Sequence, residues 1–599
     1  MNSYLFLILL SLGLFEHNVL AQEEHPNLLQ NIAGRDVQTL DGLWQVIVDP
    51  LENGYYNHRY QPKENGYFKN RKMESPSDLI EYDFDSDLEL MVPGDWNTQD
   101  EKLYYYEGTV WYKRSFDFKK KESLLTFVYF EALNYEAKVY LNGTFVGQHI
   151  GGFTPFQFEV TDLLKDGENF LVVKADNKRR RDGVPTVNTD WWNYGGITRS
   201  VHLVDVPAIH IEDYSIGLSS DRKHIEGWVA VSSKKAGQPV TISIPELKSN
   251  ENSRTDQQGR AYFRFSARPE LWEPENPKVY RVTVSAASDR IEDEIGFRTI
   301  EVRGSKILLN GEPVFLKGIS IHEEAPLKTG RVTSAEECRI LLNWAKELGC
   351  NFVRLAHYPH SEAMVREAEK MGLMVWSEIP VYWTILYENP ETYQNAENQL
   401  AAMIHRDKNR AAVILWSIAN ETPVSQDRNS FLGRLAKKAR ALDESRLITA
   451  ALDTHSGSSD ERIIDDPLGD FVDVIGINNY CGWYSQDPVS CSGIRWQNSF
   501  DKPVIISEFG GGALQGYHGQ ADERWTEEYQ EAVYENNIEM LRNIEFLAGT
   551  SPWILMDFRS PRRHLKKIQK DFNRKGLISE QGVPKKAFYT LQEYYNSLD

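Results

Sequence analysis

Two glutamates stand at the ends of apolar segments in the second half of the chain. Glu421 follows the run Val413–Ile418, and Glu508 closes the run Pro503–Glu508. A charged group at the end of a buried strand costs desolvation free energy unless it has a partner or a chemical task. Two carboxylates that face one sugar can divide the work of glycoside hydrolysis: one protonates the leaving oxygen, while the other attacks the anomeric carbon or activates water. This pair is therefore the first candidate for chemistry.

Other polar side chains follow apolar runs in the same way. His322 comes after the run that starts at Val314, while His357 and Glu378 come at the ends of the next two runs. One such residue is most simply a salt-bridged structural group. Several that converge on one face are harder to explain in that way. We therefore predict that His357 and Glu378 hydrogen-bond to the catalytic pair or to the sugar.

The elements that position these residues are short apolar runs that alternate with amphipathic segments. In the segment Ser334–Leu348, Ser334 and Glu337 are placed as a capping box. Eight alternations over about 290 residues predict a (β/α)8 TIM barrel over residues 301–599, with its active site at the carboxyl ends of the strands. The runs are Val314–Gly318, Asn351–Ala356, Leu373–Glu378, Val413–Ile418, Leu447–Leu452, Phe471–Ile477, Pro503–Glu508 and Ser551–Met556.

The first half of the chain has the pattern of all-β domains. Strand-like segments flank the turn Asn142-Gly143, which is a strong hairpin signal. Long helical periodicity is absent, so residues 22–205 are predicted to form a β-sandwich. Residues 206–300 continue with alternating strands such as Val240–Ile244, and their length fits an immunoglobulin-like β-sandwich.

Composition limits the class of protein. The 599 residues carry a net charge of −20 and 41% apolar residues, which excludes a disordered or fibrous chain and argues against nucleic acid or an anionic membrane as partner. The apolar run Leu5–Phe15 is too short to span a bilayer, and Val19-Leu20-Ala21 fits a signal-peptidase site. Residues 1–21 are thus predicted to be a signal peptide of an exported protein, periplasmic or secreted. A homo-oligomer is compatible with the sequence.

Cysteine usage and metal-ligand spacing give weaker signals. Cys338 and Cys350 lie near the two ends of one predicted helix and are expected to be buried thiols. Cys481 and Cys491 could pair across a loop, and the sequence leaves their redox state open. Four cysteines are too few for a disulfide framework. The chain has no clear cluster of metal ligands, so we expect neither a metal nor a cofactor.

With these features in place, the chain resembles the glycoside hydrolases of family 2 and, among them, the β-glucuronidases. The resemblance covers nearly the whole chain after the signal peptide, and it implies that residues 22–205 form a jelly-roll β-sandwich of the sugar-binding kind. It implies that Glu421 is the general acid/base and Glu508 the nucleophile of a retaining double displacement that removes terminal β-linked glucuronic acid from oligosaccharides or conjugates. The segments that carry it in the first sandwich and its junction are Val92–Asn97, Gly108–Arg114, Tyr140–Gly143 and Asn193–Arg199.

A loop after the last barrel strand addresses the choice of sugar. Asn573-Arg574-Lys575 resembles the Asn-x-Lys motif that holds the sugar carboxylate in β-glucuronidases. A partly desolvated lysine gains a charge-assisted hydrogen bond to a uronate of roughly 1.5–3 kcal/mol, and with a neutral hexose it stays unpaired. The matched positions imply further sugar contacts. They are Asp190, His322, Asn420, Tyr480, Tyr484 and Trp553.

The same loop is strongly basic. It holds eight basic residues between Arg559 and Lys575, opposed only by Asp571, and this local positive field favours an anionic carbohydrate as substrate. Which cation joins Lys575 is open, because the spacing of the arginines departs from the family pattern. Three alternatives also stay open: a β-galacturonidase, a β-galactosidase, and a non-catalytic carbohydrate-binding protein with an inactive barrel.

Overall fold

The computed structural model describes residues 28–85, 88–458 and 460–598, which form three successive units. Two β-sandwiches precede a closed eight-stranded barrel, as the sequence predicts. The predicted signal peptide lies outside the described residues. Among the residues described, no helix is both long and apolar enough to cross a membrane.

The first sandwich packs a six-stranded sheet on a four-stranded sheet around a shared apolar core. The predicted hairpin forms at Asn142-Gly143: both residues have positive φ, at 51° and 77°, and Leu141 pairs with Thr144. The strands are Val37–Thr39, Gly42–Val48, Glu89–Val92, Thr109–Phe118, Leu124–Phe130, Glu136–Leu141, Thr144–Ile150, Phe156–Glu159, Gly167–Asp176 and Val201–Pro207.

The second unit has the seven strands of an immunoglobulin-like sandwich, in sheets of three and four. Buried and exposed residues alternate along its strands, as in Asp289–Gly296, so each sheet presents one apolar face to the other. Its strands are Ile211–Leu218, His224–Val231, Pro239–Ile244, Ser249–Arg254, Arg260–Ser266, Val279–Ala286 and Asp289–Gly296.

A small three-stranded sheet then leads into the barrel, whose strands follow chain order around the closed circle. The small sheet consists of Ile300–Arg303, Lys306–Leu309 and Glu312–Val314. The barrel strands are β1 (Leu316–Ile321), β2 (Phe352–Leu355), β3 (Met374–Glu378), β4 (Val413–Asn420), β5 (Leu447–Leu452), β6 (Val474–Asn478), β7 (Val504–Glu508) and β8 (Leu547–Thr550). The helices are α1 (Ala335–Glu347), α2 (Glu362–Lys370), α3 (Pro390–Asp407), α4 (Gln426–Leu442), α5 (Glu527–Leu541) and α6 (Lys586–Asn596).

Helix α1 begins where the capping box predicts, because the Ser334 side chain accepts a hydrogen bond from the backbone N–H of Glu337. The predicted alternation of strand and helix holds at six of the eight barrel strands and fails at two. After β5 and β6 the chain forms only the 3-10 turns Pro467–Asp470 and Val489–Gly493, together with a three-stranded surface sheet. That sheet consists of His455–Ser458, Glu461–Ile464 and Arg495–Asn498.

The last barrel strand is not where the apolar run predicts it. The prediction was Ser551–Met556, but β8 is Leu547–Thr550, and the later residues cross the carboxyl end of the barrel. The reason is packing: Gly549 lies so close to Leu316 of β1 that a Cβ would come within 2.5 Å of the Leu316 Cβ. This close approach lets β8 pair with β1 and complete the barrel. Trp553 and Ile554 of the more apolar run belong instead to an aromatic cluster at the carboxyl end of the barrel.

The cysteines fall into two pairs with different states. Cys338 and Cys350 are free, buried thiols, as predicted. Cys481 and Cys491 are joined in a disulfide across the loop that follows β6. That loop also carries Tyr480 and Tyr484, two of the predicted sugar contacts.

Candidate active site

The parallel strands of the barrel bring the predicted catalytic residues to one rim. Glu378 ends β3, Asn420 ends β4 with Glu421 directly after it, and Glu508 ends β7. Since all eight strands run in the same direction, their carboxyl ends meet at the same end of the barrel. The chemistry-bearing side chains therefore share one opening despite large separations in sequence.

A fully buried arginine organises this rim. Arg354 of β2 donates to Glu508 at 2.8 Å, to Asn420 at 2.7 Å, and to both oxygens of Glu378 at 3.1 and 3.2 Å. His357 Nδ1 lies 2.7 Å from Glu378 Oε1. Burial pushes the pKa of Glu378 upward, but Arg354 and His357 outweigh it and hold that pKa below its usual value. Glu378 therefore stays ionised as the structural partner of Arg354.

Glu508 differs in the balance of its surroundings. Tyr480 donates its hydroxyl proton to Glu508 Oε2 at 2.6 Å. Burial raises the pKa of Glu508; Arg354 opposes this, the nearby Glu421 adds to it, and the pKa remains above its ordinary value. Two hydrogen-bonded partners, on β2 and after β6, thus fix the orientation of this carboxylate.

Glu421 is aimed by an unusual backbone. Its φ of 49° lies in the left-handed region, which residues other than glycine seldom adopt. The pairing of β4 with β5 shifts register just before it, between Ser417 and Asn420. Its two carboxylate oxygens accept from the indole of Trp383 at 2.8 Å and from Asn478 at 3.0 Å. The turn away from strand geometry gives this carboxylate neighbours different from those of Glu508.

Two buried polar atoms at the rim have no partner among the residues that the structure describes. They are Nδ2 of Asn420 and Nε2 of His322. The other side of each group is engaged, since Asn420 Oδ1 accepts from Arg354 and His322 Nδ1 contacts the Tyr358 hydroxyl at 3.1 Å. An unsatisfied buried polar atom is costly, so each is positioned to bind a group that enters the site, such as a sugar hydroxyl.

Aromatic side chains form the wall beside these atoms. The Trp553 ring stacks on His357 with centroids 4.8 Å apart and meets His322 edge-on at 5.1 Å. Trp191, on a loop from the first sandwich, packs against both histidines. The predicted sugar contacts His322, Asn420, Tyr480 and Trp553 thus lie together around Glu421 and Glu508, the two predicted catalytic glutamates.

The predicted carboxylate-binding residues form a second group next to the first. Lys575 is 3% exposed, and its ammonium donates to the Tyr484 hydroxyl at 2.8 Å. In the described part of the chain no carboxylate lies within 4 Å of this ammonium. Burial lowers the pKa of Lys575, and Arg563 lowers it further. The ammonium also lies 5.4 Å from the centre of the Tyr480 ring, whose hydroxyl binds Glu508, so one tyrosine spans the two groups.

The cation that accompanies Lys575 is Arg563. Its guanidinium pairs with Asp190, which reaches the barrel from the first sandwich as predicted. Asp190 also accepts from Ser560 at 2.6 Å and from Asn573 at 3.2 Å. In the structure Asp190 therefore joins the two domains and orients Arg563 and Asn573. Both of its carboxylate oxygens accept hydrogen bonds from protein donors. We call Asn573, Lys575, Arg563 and Tyr484 the carboxylate clamp.

The remaining basic residues of the loop have different roles. Arg574 is buried and pairs with Asp557 at 3.1 Å, so it is structural. Arg559 lies over the rings of Tyr104 and Phe572. The others are exposed to solvent. They are Arg562, Lys566, Lys567 and Lys570.

Several site residues were missed in the sequence. Arg354 left a signal, because a charged residue inside the apolar strand Phe352–Leu355 needs a buried counter-charge. Trp191 and Trp383 left none, since nothing in their local sequence shows that they lie against the catalytic groups. Asn478 ends β6, where a polar side chain could have been read as part of the rim.

The comparisons with known proteins agree with this architecture. Three domains of glycosyl hydrolases family 2 match consecutive parts of the chain. The sugar binding domain matches residues 37–207, the family 2 domain residues 209–298 and the TIM barrel domain residues 300–599. A β-glucuronidase of Rattus norvegicus is 28% identical and covers 94% of this chain, which matches 91% of that protein. A putative β-glucuronidase of Formosa agariphila is also 28% identical over 85% of this chain, which spans only 66% of its length.

Solved structures show the same fold. A β-glucuronidase from an uncultured Clostridium species superimposes with a TM-score of 0.81 at 26% identity, covering 95% of this chain and 99% of its own. A β-galacturonidase from Eisenbergiella tayi superimposes with a TM-score of 0.77 at 24% identity, covering 94% of this chain and 97% of its own. The latter likeness concerns the fold alone, and it shows that one architecture is shared by enzymes named for different uronides.

Proposed function

Since the chain belongs to glycosyl hydrolase family 2 and is a glycoside hydrolase, we propose that it is an exo-acting, retaining β-glucuronidase. The observation that carries the proposal is the buried Lys575 ammonium, which has no carboxylate of the described residues within ion-pair distance, although the charge of Asp190 acts on it from further away. A uronate would supply the missing charge, whereas a neutral hexose would leave the ammonium buried and unpaired. The similarity to named β-glucuronidases supports the same substrate.

The proposed mechanism is a double displacement. Glu508, held by Arg354 and Tyr480, attacks the anomeric carbon, and Glu421 protonates the departing oxygen. The glycosyl ester forms at Glu508, and Glu421 is left as a carboxylate once it has given its proton to the leaving group. Glu421 can then accept a proton from water in the second step. Retention of configuration would follow from the two inversions.

The surroundings support removal of a terminal sugar. The Asp190–Arg563 pair joins the loop of the first sandwich to the clamp, and Trp191 lies on the same loop against His357. One end of the site is therefore closed by protein, which favours a chain end over an internal residue. Asn420 Nδ2 and His322 Nε2 are proposed to bind hydroxyls of that sugar.

The proposal is tested with four nitrophenyl glycosides: the β-glucuronide, β-galacturonide, β-galactoside and β-glucoside. We expect turnover of the glucuronide, with little turnover of either neutral sugar. Preference for the galacturonide would keep the clamp and move the specificity to the C4 hydroxyl. Turnover of the galactoside would overturn the role of Lys575, and no turnover at all would favour a carbohydrate-binding protein.

Stereochemistry is a separate part of the test. Proton NMR of the first-formed glucuronic acid, recorded before mutarotation, is expected to show the β-anomer. The α-anomer would mean that the enzyme inverts and that Glu508 activates water rather than forming a bond to the sugar.

We also propose that the protein is exported to the periplasm or medium. The support is the apolar run Leu5–Phe15 followed by Val19-Leu20-Ala21. Cell fractionation of the native host, with N-terminal sequencing of the recovered enzyme, tests it. We expect the mature chain to begin at Gln22; full-length protein in the cytosol would contradict the proposal.

A further inference from the structure

Arg562 lies beside the clamp but has different neighbours from Arg563. While Arg563 pairs with Asp190, the Arg562 guanidinium lies over the Trp383 ring, 4.8 Å from its centre, and donates to the side-chain carbonyl of Asn188. Trp383 in turn donates its indole N–H to Glu421. Two adjacent arginines thus face opposite parts of the site: one faces the clamp and the other the proposed acid/base.

The Glu421 side of the site is the side of the leaving group. In the proposed mechanism Glu421 protonates the oxygen that links the terminal sugar to the rest of the substrate. Trp383 is hydrogen-bonded to Glu421, and Arg562 lies on the Trp383 ring. Both are therefore next to the part of the substrate that follows the terminal sugar. The half-buried Trp383 ring, with Tyr382 packed 4.4 Å from its centre, holds the Arg562 guanidinium at this position.

The charge of Arg562 is not neutralised within the protein. Arg562 is exposed, and no carboxylate of the described residues lies within ion-pair distance of it. The same holds for the exposed Lys566, Lys567 and Lys570 on the same loop. In a protein with a net charge of −20, an exposed Arg562 that lies on Trp383 without a carboxylate partner favours an anion beside it.

We propose that Arg562 and Trp383 form a subsite for an anionic sugar residue on the leaving-group side. The substrate would then be an oligosaccharide in which the sugar next to the terminal glucuronic acid carries a carboxylate or a sulfate. This inference rests on the proposed β-glucuronidase function and extends it from the terminal sugar to its neighbour. The Arg562 guanidinium pairs with the anion, and the Trp383 ring holds that guanidinium beside the leaving-group position.

The test uses three disaccharides with the same terminal β-glucuronosyl group. Their second sugar is a neutral hexose, the same hexose with a 6-sulfate, or a hexuronate. The enzyme variants are wild type, Arg562→Gln and Arg562→Lys. The control is Arg303→Gln, because Arg303 lies on the small sheet that precedes the barrel and is exposed. Released glucuronic acid gives kcat/KM for each pair.

For Arg562→Gln we expect about a tenfold loss of kcat/KM on the charged disaccharides that the subsite accepts, and less than a twofold change on the neutral one. A tenfold loss corresponds to about 1.4 kcal/mol. Arg562→Lys should fall between, and Arg303→Gln should match wild type. Loss on the sulfated substrate alone, or on the hexuronate alone, identifies which anion the subsite binds.

Equal losses on all three disaccharides would overturn the inference, since Arg562 would then only support Trp383. Unchanged kinetics on all three would overturn it as well. Failure of the proposed function is distinguishable, because wild type would then release no glucuronic acid from the neutral disaccharide either.

Discussion

The catalytic centre and the carboxylate clamp are two neighbouring charged regions built on opposite plans. In the centre, Arg354 is completely buried and forms ion pairs with Glu378 and Glu508. In the clamp, the ammonium of the buried Lys575 has no ion-pair partner among the described residues and donates its hydrogen bond to the hydroxyl of Tyr484, a residue that is 60% exposed. The centre lies on barrel strands, and the clamp on loops after them.

The difference separates two tasks. A nucleophile and its counter-charge must be held in one geometry before the substrate arrives, so the protein satisfies them itself. A group that selects a substrate by charge must stay unsatisfied until the substrate binds. Tyr480 sets the spacing between the two regions, because its hydroxyl binds Glu508 and its ring contacts the Lys575 ammonium.

The largest expected effect comes from removing the nucleophile in the centre. Glu508→Gln keeps the size of the side chain but cannot form the glycosyl ester, so we expect kcat on nitrophenyl β-glucuronide to fall about 10⁵-fold. Thermal unfolding should show a folded protein. Full hydrolysis by this variant would show that another group attacks the sugar.

Next in size is the loss of a buried partner in the centre. Glu378→Gln leaves Arg354 with Glu508 as its remaining carboxylate, and breaking a buried ion pair costs about 3–5 kcal/mol of unfolding free energy. Urea unfolding measures this change. The matched control is Glu336→Gln, which breaks an exposed pair with Arg339 and should cost at most about 1 kcal/mol. Equal costs would mean that the centre is not organised as the structure indicates.

Removing the charge of the clamp should act on substrate and not on stability. For Lys575→Met we expect kcat/KM on the glucuronide to fall about 10- to 100-fold, the value of a charge-assisted hydrogen bond. Stability should hold or rise, because an unpaired buried ammonium is removed.

Lys585 provides the matched control for that change. It is also buried, ten residues further along the chain, but it pairs with Asp557 at 2.8 Å. Lys585→Met should therefore destabilise the fold by about 3–5 kcal/mol. If both lysine variants lost the same stability, the contrast between clamp and structural cations would be refuted.

The smallest expected effect is a pH dependence. Because the pKa of Lys575 is lowered in the folded protein, the unfolded chain binds more protons between that pKa and 10.5. Folding stability from this residue therefore rises with pH through that window. Over the same window Lys575 loses its positive charge, so kcat/KM on the glucuronide should fall.

The control for the pH effect is Lys575→Met. Its stability and its kcat/KM profile should lack both changes in the alkaline range. An unchanged alkaline limb in this variant would assign the titration to another group. Circular dichroism melts and initial rates, measured at matched ionic strength, provide the two profiles.

Much of the architecture could be predicted from the sequence because it depends on local patterns. The Asn142-Gly143 hairpin, the Ser334 cap and seven barrel strands overlapping their predicted runs are examples. The prediction of the eighth strand is wrong, because Ser551–Met556 is more apolar than the actual strand Leu547–Thr550. Hydropathy indicates which residues are buried but not which residues pair in a sheet. The missing helices after β5 and β6 could not be foreseen for a similar reason: other elements cover the barrel there.

The sequence by itself determined which chemical groups are available: two strand-end glutamates, and an Asn-x-Lys in a basic loop. The residue types follow directly from the covalent sequence, and local periodicity indicates the strands and the loop that carry them. Tertiary structure decided what each group contacts. It paired Asp190 with Arg563, placed Arg562 on Trp383, and left Lys575 without a carboxylate while Lys585 received one. Electrostatic and desolvation free energies depend on distance and burial in space, and separation along the chain specifies neither.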